Sequence, residues 1–156
     1  MASLLSYRPD FQEILEGFFE AVYSGTPFPF NPQGTHQDIR RIPQVYQHTG
    51  GQFWLLFEAE ALIGTVAVRA LEPGVAELKR LQVLQDYQGR GYGKLLIQQV
   101  MEHAAELEFS RLRLDSIRDK AAALHLYKRF GFQEIERYND NPHADIFMEY
   151  DLRRLQ

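Results

Sequence analysis

The segment Gln88-Gly89-Arg90-Gly91-Tyr92-Gly93-Lys94 joins a strand-like run, Leu78 to Leu84, to a long amphipathic stretch through three glycines. Such a junction suits an anion. Glycine lets the main chain turn with positive φ and approach a ligand closely, and the first free N–H groups of a helix favour phosphate oxygens. Two better-known phosphate motifs do not fit. A dinucleotide fingerprint starting at Gly89 needs glycine where Lys94 stands, and a P-loop needs glycine at Gln88 and a hydroxyl residue at Leu95. The expected guest is a pyrophosphate-bearing ligand.

The rest of the chain limits the classes open to it. Its 156 residues, 45% hydrophobic and 24% charged, suit one domain over residues 1–156 with a sizeable core. A net charge of −4 gives no general attraction to nucleic acid or to anionic membranes. With no cysteine, disulfides, thiolate metal sites and cysteine nucleophiles are excluded. His36, His48, His103, His125 and His143 are scattered without a metal-ligand spacing, so no metal is expected. No leader-like N-terminal segment or apolar run of membrane-spanning length occurs, and the expectation is a soluble, cytoplasmic protein.

Periodicity orders the elements. Leu4 to Arg8 reads as a short strand, followed by a helix capped by Asp10, with Phe11, Ile14, Leu15, Phe18, Phe19 and Val22 on its apolar face. Ser24 to Gly34, rich in proline and glycine, reads as a loop, and Thr35 to His48 as a second helix. Phe53 to Phe57, Leu62 to Val68 and Val75 to Leu84 read as three consecutive antiparallel strands. A helix from Gly91 to about Phe109 would bury Leu95, Leu96, Val100, Met101, Ala104 and Leu107. A strand Arg111 to Ile117 follows, then a helix bracketed by Asp119 as cap and Gly131 as left-handed terminator. Phe132 to Tyr138 and Asp145 to Leu152 close the chain as a hairpin. The order β-α-α-β-β-β-α-β-α-β-β makes an α/β (α+β) fold with a mixed sheet flanked by helices.

A second motif, Ala123-Leu124-His125-Leu126-Tyr127-Lys128-Arg129-Phe130-Gly131-Phe132, lies downstream of the glycine loop. With Gln88-x-x-Gly91-x-Gly93 after a strand, this pair in this order resembles the GNAT superfamily of acetyl-CoA-dependent N-acetyltransferases. The resemblance is firmest from Glu77 to Tyr150. It implies a mostly antiparallel sheet whose two central strands splay apart to admit coenzyme A, and an acetyl group passed from acetyl-CoA to the primary amine of a small molecule, amino acid or peptide. A non-catalytic acyl-CoA-binding or sensor protein is the alternative, and a homodimer is compatible with either.

The same resemblance assigns residues. Glu77 matches the family's strand glutamate, a candidate base; otherwise it is a solvated strand residue or a partner for Lys79 or Arg80. Tyr127 is implied as general acid to the departing thiolate, or else is a packing tyrosine. A main-chain N–H near Leu81, Gln82 or Val83 is expected to hold the oxyanion, and the same segment to pair with the pantetheine arm. Gln88 opens the loop whose amides, from Gly89 through Arg90, Gly91, Tyr92, Gly93 and Lys94 to Leu95, are expected on the pyrophosphate, with Arg90 and Lys94 adding charge. Where the family often presents an asparagine, this chain has Arg118-Asp119-Lys120. Phe28, Phe30, Tyr138, Asn139 and Asp140 are candidates for the acceptor mouth; Phe28 and Phe30 are otherwise loop anchors, and Tyr138 to Asp140 a β-turn.

Overall fold

Alternation along the strands builds the molecule, because each strand sends successive side chains to opposite faces of one sheet. The computed structural model describes residues 2–156. Seven strands, β1 (Ala2–Ser6), β2 (Gln52–Glu58), β3 (Ala61–Glu72), β4 (Val75–Val83), β5 (Arg111–Ser116), β6 (Gln133–Ile135) and β7 (Ile146–Asp151), form one sheet in the order β1-β2-β3-β4-β5-β7-β6. Every neighbouring pair is antiparallel except β4 with β5. On one face, Trp54, Leu56, Val66, Val68, Ala76, Leu78, Leu112 and Leu114 meet helices α3 (Tyr92–Glu106) and α4 (Ala121–Phe130). On the other, Phe53, Leu55, Phe57 and Ala67 meet α1 (Gln12–Tyr23) and the one-turn helix α2 (Ile42–Val45). That second layer lies mainly over the β1–β3 half and reaches β4 through Arg80.

The expected element order holds, while several boundaries and caps do not. The first strand begins at Ala2 and ends at Ser6, two residues earlier than Arg8. Asp10 does not cap α1. Its carboxylate accepts from Arg8 Nε at 2.9 Å inside a short turn begun by Pro9, and that turn runs straight into the helix. The expected helix from Thr35 to His48 is broken into a turn at Gln37–Arg40, α2, and a turn at Gln47–Thr49; Pro43, in the first turn of α2, forces a fresh start. Ile14 is 41% exposed, off the buried stripe of Leu15, Phe18 and Phe19.

Helix α3 buries Leu96, Ile97, Val100, Met101 and Ala104, and leaves Leu95 and Leu107 exposed. Leu96, Val100, Met101 and Ala104 are buried as expected, and Ile97 takes the place assigned to Leu95. Lys120, not Asp119, is the residue before α4, and no side chain caps that helix. Gly131 ends it with φ +105°, as expected. The strand expected from Phe132 to Tyr138 keeps only Gln133–Ile135; beyond it the exposed Arg137 donates to the carbonyls of Asn141 and Ala144 and ties the following turn together.

Candidate active site

Strands β4 and β5 pair only from Val75 to Glu77, opposite Arg111 to Arg113, although they continue to Val83 and Ser116. Beyond Glu77 the edge of β4 facing β5 is therefore unpaired. Which amides line it follows from the register with β3. Leu84 N–H donates to Ile63 O, and Thr65 stands opposite Gln82. In an antiparallel ladder the hydrogen-bonded residues alternate, so Gln82 bonds β3 while Leu81 and Val83 present their N–H groups to the opening. Of the three oxyanion candidates, Gln82 is thus turned away. The opening is a cleft of about 450 Å³ lined by Leu81 to Val83, Tyr87 to Gly89, Tyr92, Gly93, Asp119 to Ala123 and Leu126.

The glycine loop forms one end of this cleft. Gly91, just before α3, has φ +86°, which side-chain-bearing residues rarely adopt. Leu95 N–H is the first in the run to reach a main-chain acceptor, Gly91 O at 3.1 Å. The amides of Gly89 to Lys94 have none among the described residues, so the free run ends one residue short of the expected Leu95. Gln88 Nε2 donates to Val83 O at 2.9 Å and ties the loop to the end of β4. A Cβ on Gly93 would stand 3.0 Å from Leu126 Cδ1, so glycine allows α3 to approach α4 closely.

The loop's side chains are arranged differently from the expectation. Tyr92 donates its hydroxyl to Glu58 Oε2 at 2.6 Å, which raises its pKa, and Arg90 leans over the Tyr87 ring toward Glu58, 3.9 Å away. Arg90, Lys94 and Leu95 do not line the cleft, and Lys94 and Leu95 face solvent. Six successive free amides, an apolar wall and an unpaired strand edge fit the pyrophosphate and the peptide-like arm of coenzyme A.

The opposite face of the opening is built from side chains. Glu77 is completely buried. Its Oε1 accepts from Arg69 at 2.8 to 2.9 Å, and its Oε2 from the Tyr138 hydroxyl at 2.6 Å. Two expected site residues 61 positions apart are thereby joined. Burial, then the Glu77 charge, pushes the Tyr138 pKa well up, and Arg113 lies 5.4 Å over its ring. Asn139 donates to Asp115 Oδ2 at 2.7 Å, Asn141 donates to the same atom at 3.3 Å, and Lys79 lies 3.6 Å from Oδ1. Burial alone would raise the Asp115 pKa; the Lys79 charge and the amide hydrogen bonds outweigh it and hold the carboxyl below its usual range.

Asp115 was absent from the sequence-based candidates. Its partners come from another strand and a distant loop, so no local pattern marked it; the structure places it two residues beyond the last paired residue of β5, as Lys79 lies beyond that of β4. Tyr127 is 4% exposed and packs against Phe132. Burial, then the nearby Asp115 charge, raises its pKa. Its hydroxyl has no hydrogen-bond partner among the described residues, and no fully buried side-chain polar atom lacks one, so the hydroxyl keeps some contact with solvent; Ala123 and Leu126 of the same helix line the cleft, whereas Tyr127 itself does not.

Phe30 stacks on Phe19 and His36 and anchors its loop. Phe28 is 47% exposed and meets His143 at 4.5 Å, so the loop after α1 touches the turn after β6. Asp140 is exposed in that turn.

Comparison with known proteins agrees with this geometry. The sequence model described as the acetyltransferase (GNAT) family matches residues 9–132. An uncharacterized N-acetyltransferase of Schizosaccharomyces pombe is 37% identical over 94 residues, 59% of this chain and 58% of that protein. The N-acetylaspartate synthetase of Xenopus tropicalis is 34% identical over 100 residues, 63% of this chain and 37% of that protein. The chain thus matches well under two thirds of the length of these relatives. Among solved structures, a GNAT-family acetyltransferase from Staphylococcus aureus superposes with a TM-score of 0.88 at 22% identity, covering 97% of this chain and 99% of that one, a likeness of fold. With its split sheet, its glycine-bounded helix and the family match over most of its length, the chain belongs to the GNAT acetyltransferase family.

Proposed function

We propose that this protein transfers an acetyl group from acetyl-CoA to the primary amine of a small molecule, amino acid or peptide. The observation that carries the reading is the parting of β4 from β5 beyond Glu77, opening onto the glycine loop at Gly89, Tyr92 and Gly93, within the run of free amides from Gly89 to Lys94. When bound, acetyl-CoA supplies a thioester whose carbonyl carbon is open to an amine. The amides of Gly89 to Lys94 hold the pyrophosphate, and the β4 edge from Leu81 to Val83 pairs with the pantetheine arm. The Leu81 N–H, at the deeper end of that edge, holds the acetyl oxygen as negative charge develops on it.

The acceptor enters from the side of Phe28, Tyr138 and Asp115. An alkyl amine with a pKa near ~10.4 arrives protonated, and the ionised Asp115 favours its approach. Glu77 has no free oxygen, so we assign it the base role through Tyr138: the hydroxyl takes the amine proton while passing its own to Glu77. As the new N–C bond forms and the C–S bond breaks, the Tyr127 hydroxyl protonates the leaving thiolate, and the second proton shed by the nitrogen restores the Tyr127 hydroxyl through solvent. The name of the Xenopus relative favours an amino acid as acceptor.

The test is thermal unfolding with saturating acetyl-CoA, followed by release of free thiol across a panel of amines and amino acids. At ~100 times its Kd a ligand adds about 2.7 kcal/mol, which raises the midpoint of a domain this size by about 5–10 °C. A shift with acetyl-CoA but not with NAD or ATP, and thiol release with an amine, are expected. No shift from folded protein would remove the reading.

A further inference from the structure

Between Lys79 and Gln82, strand β4 carries one residue more than β3 opposite it, since Ala67 faces Lys79 and Thr65 faces Gln82. This is a β-bulge, and Arg80 sits in it with φ +55°, a left-handed conformation unusual for a residue with a side chain. The bulge decides where the next amide points. Without the extra residue, the register of Ala67 with Lys79 would continue and set Leu81 opposite Thr65. Leu81 would then take the place Gln82 now holds, and its N–H would be consumed by β3.

Arg80 is held at both ends. Its carbonyl accepts from Thr65 Oγ1 at 2.8 Å. Its guanidinium binds Asp38 with two hydrogen bonds, Nε to Oδ2 at 2.9 Å and Nη2 to Oδ1 at 2.6 Å, and also reaches the Tyr23 hydroxyl and Thr35 O, each at 3.3 Å. The buried Tyr46 hydroxyl donates to Asp38 Oδ2 at 2.6 Å. Both members of the pair have side chains only 16% exposed. Burial would raise the Asp38 pKa, but its bonds to Arg80 and Tyr46 hold it below the usual range, so the carboxylate stays charged at neutral pH. A bidentate pair fixes a guanidinium in direction as well as place.

We propose that Asp38 is a positioning residue for the transfer reaction: by gripping the Arg80 guanidinium it keeps residue 80 left-handed and the Leu81 N–H turned into the cleft. This rests on the acetyl-transfer reading above. Asp38 lies in the turn between α1 and α2, 42 residues from Arg80, so a segment on the acceptor side sets the geometry of a donor on the cofactor side.

The test uses a pair of double variants, Asp38→Asn with Arg80→Ala and Asp38→Asn with Arg80→Gly. Neither leaves a buried ion alone, and they differ by one Cβ. Glycine adopts positive φ freely, whereas alanine without the grip favours the extended strand. Wild-type thiol release is measured first. In the alanine pair kcat is expected to fall about 10²-fold, the lower range for loss of one oxyanion donor. The glycine pair is expected to recover at least about tenfold of that loss, with acetyl-CoA affinity equal in both.

An independent readout is the backbone carbon chemical shifts of residues 79–82, expected to become extended in the alanine pair and to remain left-handed at position 80 in the glycine pair. Equal kcat in the two pairs, or identical shifts at residues 79–82, would overturn the proposal. Absence of transfer by the wild type would instead strike the enzyme reading, and the shifts would still decide whether Asp38 holds the bulge.

Discussion

The two sides of the split sheet are made of different materials. The cofactor side is mostly main chain: the amides of Gly89 to Lys94, the free edge of β4 and a wall of small residues from Ala121 to Ala123. The acceptor side is mostly side chain: Arg69, Glu77 and Tyr138 in one group and Lys79, Asp115, Asn139 and Asn141 in another. A site of backbone donors depends on local conformation and tolerates many neighbours. A site of buried charges depends on every partner, because a lone ion left behind is costly. The first kind suits a ligand shared by a whole family, and the second can be changed residue by residue.

This contrast is open to direct tests. The largest effect is expected on the acceptor side: Glu77→Gln should lower kcat at least about 10²-fold with acetyl-CoA affinity unchanged. Tyr138→Phe should match it, and the double variant should be no worse than either single one if the two act as one relay. Additive losses measured in steady-state kinetics would separate them. On the cofactor side, Gly91→Val forces a β-branched residue to φ +86°. Strain of about 1–3 kcal/mol corresponds to roughly 5- to 150-fold weaker acetyl-CoA binding. Calorimetric titration should show that loss, and an unchanged Kd would mean the loop does not hold the ligand.

Tyr127 lies between the two sides, and Tyr127→Phe should cost about tenfold in kcat, below the usual range for a general acid because a thiolate leaves readily. Since the hydroxyl bonds to no described residue, the melting temperature should stay put. A large drop in melting temperature would make Tyr127 a structural tyrosine. The smallest effect concerns Asp115. Its folded-state pKa is depressed, so the stability it contributes is complete above the ordinary carboxylate value of about 3.9 and disappears as pH falls through its lower folded value. Asp115→Asn should flatten that acid limb in denaturant titrations below about pH 4; an unaltered limb would assign acid sensitivity to other carboxylates, Asp38 among them.

Legibility in the sequence follows the same division. The glycine loop was readable because its contacts are contiguous: Gln88, Gly91 and Gly93 act within one turn of chain. Strand and helix order was readable from periodicity, including the β2–β4 meander. The join of Glu77 to Tyr138 spans 61 residues, and that of Asp115 to Asn139 spans 24, so no local pattern announces either. The caps failed for a related reason. Asp10 is a good capping residue by type, yet Arg8 captured its carboxylate first. The helix expected over Thr35 to His48 failed because Pro43 restarts the helix and because Asp38 is drawn to Arg80, a demand from 42 residues away.

The parallel clasp from Val75 to Glu77 has a mechanical meaning. Within the sheet it is the sole hydrogen-bonded seam, among the described residues, between the half formed by β1 to β4 and the half formed by β5, β7 and β6. A ligand lying along the open edge of β4 would act as a missing length of strand and extend that short seam. Cofactor binding would then lend rigidity to the whole protein, and slower amide exchange from Arg111 to Arg113, well away from the glycine loop, would be its signature.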